Sequence, residues 1–154
     1  MPTNIEQWLS LSLWVAGAGH CCVLVASFQV PYRLKWEEDL AKLATFNRKL
    51  MWVYGGFTVY TVAAFGLMTL ALHRELMRGE SAALALACFI GFYWLLRVVV
   101  DFAYYSHQDW PKGAAFRLGH VLLTSLFVFL SSSYLGLTLW HWLRASRTGR
   151  LVPY

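Results

Sequence analysis

Four apolar runs, Leu9 to Val30, Leu50 to Leu72, Ala82 to Tyr105 and Leu118 to Leu143, occupy most of the chain. Each is long enough to cross the ~30 Å hydrocarbon core of a bilayer as a helix rising about 1.5 Å per residue. What remains is a head of 8 residues, connections of 19, 9 and 12, and a tail of 11. None of these pieces can bury a core of its own. In lipid, a helix satisfies all its backbone polar groups internally, which leaves it the only spanning structure open to runs of this length. The pattern therefore predicts one all-α integral membrane domain, a polytopic bundle of four transmembrane helices.

Composition agrees with that class. Of 154 residues, 58% are hydrophobic and 17% aromatic, with a mean hydropathy of +0.49, above the range of an ordinary soluble domain. The net charge of +5 is dispersed over short connections and an Arg-containing tail. A dispersed surplus of this kind reads as topology signal and attraction to anionic headgroups, and no nucleic-acid partner is expected. Trp8, Trp52, Trp110, Trp140 and Trp142 fall near predicted span ends, where indole rings settle at headgroup depth.

The basic residues give the orientation. Arg33, Lys35, Lys42, Arg48, Lys49, Lys112 and Arg117 belong to the face of the first and third connections, against Arg74, Arg78, Arg144, Arg147 and Arg150 on the other. That bias places both termini on the non-cytoplasmic side of a cell (inner) membrane. Only Glu6 is charged ahead of the first run, which lacks a positive n-region and is read as a retained span.

The 19-residue connection has internal organisation. Pro31 closes the first span, and Leu34, Leu40, Leu43 and Phe46 then alternate with Lys35, Glu37, Glu38, Asp39 and Lys42. This spacing predicts a short amphipathic helix in the headgroup plane, with Glu38 and Lys42 as an i,i+4 pair on its wet side. Asp109 to Gly113 reads as a turn anchored by Trp110.

Polar groups inside the spans carry the functional question. Arg97 and Asp101 stand i,i+4 in the third span and so share a face. An intramembrane charge costs at least ~2.5 kcal/mol on insertion scales, so each is expected to be the other's counter-ion. Such a structural intramembrane ion pair would lock the third helix to its neighbours or form a site for a carboxylate, phosphate or proton.

His20 lies mid-span in the first run beside Gly17 and Gly19, and His120 follows Gly119 near the start of the fourth. Two imidazoles facing across a bundle can ligate a b-type haem, with Arg97 left for a propionate. The span limits put them roughly 8 Å apart in depth, a gap that small boundary shifts would close. The plainer reading is that each histidine donates a hydrogen bond to a neighbouring helix.

Cys21, Cys22 and Cys88 have no zinc or redox spacing, and no metal site is expected. No Ser-His-Asp grouping, phosphate-cradling glycine loop or HExxH motif is present, so no catalytic residue is assigned. Ser132 with Gly136 and Gly17 with Cys21 are small-xxx-small pairs that favour close helix contacts.

Three functions fit these residues. The first, which asks for least special chemistry, is an accessory or structural subunit of a larger membrane complex, its partners being lipid, other membrane subunits or further copies of itself. The second is a haem-binding protein of an electron-transfer system using His20 and His120. The third is a small oligomeric carrier or channel built around Arg97 and Asp101.

Overall fold

The computed structural model describes residues 4–105 and 113–147. Four long helices cross in alternating directions: α1 (Asn4–Arg33), α3 (Thr45–Ala71), α5 (Ser81–Ala103) and α6 (Ala114–Arg147). All four are long and apolar enough to span a membrane. Two short helices, α2 (Trp36–Leu40) and α4 (His73–Arg78), lie in the first and second connections. The chain is therefore a multi-pass membrane bundle, and Glu6 and Arg144, bridged at 2.7 Å, bring its first and last helices together at one end.

α1 packs most closely against α3, and α5 against α6, with α1 and α6 joining the two hairpins. Glycine makes these approaches possible. A Cβ on Gly66 of α3 would stand 2.9 Å from the His20 Cβ, and one on Gly91 of α5 would stand 2.7 Å from Leu135 of α6. Bare helix surface at these points lets backbones close up, which in lipid replaces the hydrophobic drive with van der Waals contact.

The midpoints of α1, α5 and α6 coincide. Gly19 faces Leu126 and Leu130, and the Ser131 hydroxyl donates to the Gly91 carbonyl at 3.1 Å. That layer is the middle of the bundle, and the midplane of a bilayer centred on these four helices falls there.

Packing is uneven along the bundle. Buried side chains gather around the middle layer and toward the terminal end, and Leu13, Ala16, Val62, Ala87, Trp94, Leu130 and Leu137 among them are each at most 2% exposed. Toward the opposite end, residues 24–33 of α1, 45–61 of α3 and 114–126 of α6 include no buried residue, and residues 95–103 of α5 include only Asp101. The helices are thus fastened in one half and stand apart in the other.

The connections differ in detail from the sequence reading. α1 runs on through Pro31 to Arg33, giving up the one i→i−4 bond that Pro31 cannot donate to Ser27. α2 is only five residues long: Lys35 at φ 50° leads into it, and Leu40 is its buried residue. Trp36 covers Gly55 and meets Trp52 edge-on at 5.9 Å, holding α2 to the start of α3.

The expected Glu38–Lys42 pair does not form. Lys42 reaches Asp39 at 2.8 Å and Lys35 reaches Glu38 at 3.5 Å, both i,i+3 contacts favoured by a helix too short to complete i,i+4 rows. Lys42 beside Asp39 holds its carboxyl below the usual carboxylate range, and Asp39 raises the Lys42 ammonium in return.

α4 was not foreseen. The chain breaks at Leu72, turns through one short helix anchored by Leu76 at 1% exposure, and stops at Gly79, whose φ of 77° suits glycine. The predicted turn at Asp109 to Gly113 falls, except for Gly113, outside the described residues.

Candidate functional site

His20 stands at the centre of the packed half. Its Nδ1 lies 2.7 Å from the Ala16 carbonyl oxygen, an acceptor, and its Nε2 lies 3.2 Å from the indole Nε1–H of Trp94, a donor. These partners specify the neutral Nδ1–H tautomer and occupy both ring nitrogens. The ring is 1% exposed and meets one aromatic side chain from each other long helix: Phe65 at 6.3 Å, Trp94 at 5.6 Å and Tyr134 at 6.1 Å.

The surrounding polar groups are satisfied as well. Thr69 donates to the Phe65 carbonyl and shares a 2.5 Å hydrogen bond with the Tyr134 hydroxyl, joining α3 to α6. Trp94 stacks on Phe127 at 4.8 Å. A fully bonded polar layer in a bundle's interior fixes which helices meet and in what register.

The haem arrangement is not present. His120 lies ten residues from Leu130 along α6, about 15 Å of helix from the layer that holds Gly19 and its neighbour His20, so the two imidazoles do not converge on one point. The depth gap is larger than the span limits implied because those limits set the start of the fourth span at the edge of the core, whereas the 34-residue α6 is longer than the core is thick. With both His20 nitrogens engaged and His120 turned to another partner, haemin added to the purified protein should give no bis-imidazole absorption spectrum. A Soret shift lost in His20→Ala would contradict this assignment.

The Arg97–Asp101 bridge is also absent. Asp101, 6% exposed, accepts a 3.1 Å hydrogen bond from Thr124 and lies 3.5 Å from His120 Nε2, both on α6. The short aspartate side chain reaches sideways to the neighbouring helix, while Arg97 packs its guanidinium over the rings of Phe127 (5.5 Å) and Tyr105 (5.9 Å). Sharing a face did not make them partners, because each met a closer neighbour off its own helix.

Depth explains the difference. Asp101 and His120 each lie ten residues from the midplane layer, about 15 Å, at the edge of the hydrocarbon core. Arg97 starts about 9 Å from the middle layer, and its guanidinium lies between Phe127, nearer that layer, and Tyr105, beyond the end of α5. Ring faces accompany it and offset part of the cost of burying its charge.

The Asp101–His120–Thr124 cluster is therefore an interhelical clamp between α5 and α6. Without the Arg97–Asp101 pair, the carrier reading loses the site on which it was built. Among the described residues, no group of three His, Cys, Asp or Glu side chains is placed to hold a metal ion.

Sequence reasoning missed the Trp94–His20 and Thr69–Tyr134 contacts. A signal existed for the first. Trp94 lies mid-span, away from the headgroup belt, and an indole N–H at that depth requires an acceptor.

No family model, curated protein or solved structure matches this chain.

Proposed function

We propose that the protein is an accessory, structural subunit of a larger integral membrane complex in a cell membrane, with both termini on the non-cytoplasmic side. The observation that carries this reading is a division among its glycines. Gly17, Gly19, Gly66 and Gly91 each face a neighbouring helix of the same chain, where a Cβ would press on named atoms. Gly56, Gly119 and Gly136 face outward, with nothing within 4 Å of where a Cβ would stand.

A glycine inside a helix costs about 1 kcal/mol relative to alanine, and within this chain the outward three have no packing role that offsets it. Bare positions on α3 and α6 fit a helix from another chain. Exposed Ser132, one turn from Gly136, adds a small-xxx-small contact on the same face. The loosely packed half of the bundle supports the same reading, since partner helices there would supply contacts that the four helices do not make among themselves.

Extraction in mild detergent tests it. The chain should migrate in an assembly that contains at least one other polypeptide and is heavier than multiples of its own 17.6 kDa. Recovery solely as a monomer or homodimer would reject the assignment.

A further inference from the structure

We propose that the crevice between the first turns of α1 and α4 binds the phosphate of an anionic glycerophospholipid. The crevice has a volume of about 690 Å³ and lies at the terminal end of the bundle. Its floor is rigid: Trp14 stacks on His73 at 4.8 Å, and the His73 Nε2 lies 3.2 Å from the Ser10 hydroxyl. Its wall carries Arg74 and Arg78, one turn apart on α4.

The charges favour an anion. Arg74 makes no hydrogen bond or ion pair among the described residues. Among the described residues Arg78 meets only Glu80, at 3.5 Å, with both side chains more than half exposed, a contact weak enough to yield. Glu6, the acidic residue of the lining, is engaged by Arg144 at 2.7 Å. Two guanidinium groups are thus left to donate to phosphate oxygens, which their planar N–H forks suit.

Position identifies the source of the phosphate. The lining runs from Ser10, nine residues or about 14 Å from the middle layer at the edge of the hydrocarbon core, to Glu6, thirteen residues or about 20 Å away at headgroup depth, where the glycerol and phosphate of a lipid reside. Exposed Trp8 and Trp142 mark the same level. Leu11 and Met77, also in the lining, offer acyl chains an apolar path toward the core. This site is independent of the subunit assignment.

Native mass spectrometry of the full chain, loaded separately with phosphatidylglycerol and phosphatidylcholine, tests the proposal. Wild-type protein should retain phosphatidylglycerol preferentially, and Arg74→Gln/Arg78→Gln should reduce that retention roughly tenfold or more. Arg147→Gln, which removes an exposed charge at the same end outside the crevice, should leave it unchanged. Millimolar inorganic phosphate should not displace the lipid.

Equal retention by the double variant, equal loss in Arg147→Gln, or no preference over phosphatidylcholine would overturn the site. Displacement by inorganic phosphate would overturn the lipid assignment. If the double variant fails to fold, wild-type protein still decides: rising salt should weaken phosphatidylglycerol retention progressively, and salt-independent retention would contradict a guanidinium–phosphate contact.

Discussion

Replacing Trp94 with alanine is expected to destabilise the bundle by about 3 kcal/mol, measured as loss of helicity when a denaturing detergent is titrated into micelles of the folded protein. Trp94 is 2% exposed, stacks on Phe127 and donates to His20, so its removal empties a volume bounded by three helices. The value sits at the low end for a buried Trp→Ala change. In lipid the transfer part of the penalty is small, and lost packing dominates.

Trp94→Phe separates the two contributions. It keeps most of the ring but deletes the Nε1–H, leaving His20 Nε2 without its donor, and should cost only about 0.6–1 kcal/mol. Equal effects of the two substitutions would mean that the hydrogen bond, not the ring, holds the layer.

Gly66→Leu should be nearly as damaging, at about 2–3 kcal/mol, because the first added carbon already meets the His20 Cβ and the neighbouring Gly17 carbonyl lies 3.5 Å away. α1 and α3 would have to move apart, taking His20 out of reach of Trp94. Gly136→Leu provides the contrast. With open space around it, this change should alter the isolated chain by no more than about 0.5 kcal/mol, yet it should release the chain from its complex. If Gly136→Leu unfolds the isolated protein, or leaves the complex intact, the outward glycines do not have the role assigned to them.

The architecture was legible because lipid imposes a simple rule: a run of about twenty apolar residues can hide its backbone only as a helix. The predicted limits and the four long helices accordingly agree to within a few residues at most ends, and the largest departures are at the start of α3 and at both ends of α1 and α6. Pattern does not encode how far one helix slides or rotates against another. The i,i+4 spacing put Arg97 and Asp101 on one face correctly, but α6 placed Thr124 and His120 within reach of the aspartate.

The histidines show the same limit. Each was recognisable as an intramembrane imidazole, while their separation depended on the register of α1 against α6. His20 does hydrogen-bond a neighbouring helix, but as the acceptor from Trp94 while its own N–H turns back to Ala16 of α1, and the Gly17 and Gly19 beside it serve helix approach. α4 was invisible because six residues carry too little periodicity to stand out, and Leu76 becomes an anchor only once the bundle end is assembled.

Topology in the native membrane gives the most direct test of the account. In a background with Cys21, Cys22 and Cys88 changed to alanine, single cysteines at Gln7, Glu37, Arg78 and Ser146 would be probed with a membrane-impermeant thiol reagent from each side. Four crossings require Gln7, Arg78 and Ser146 to react from one side and Glu37 only from the other. Labelling of Glu37 from the same side as Gln7, or of all four positions from both sides in sealed vesicles, would contradict the bundle on which every assignment above rests.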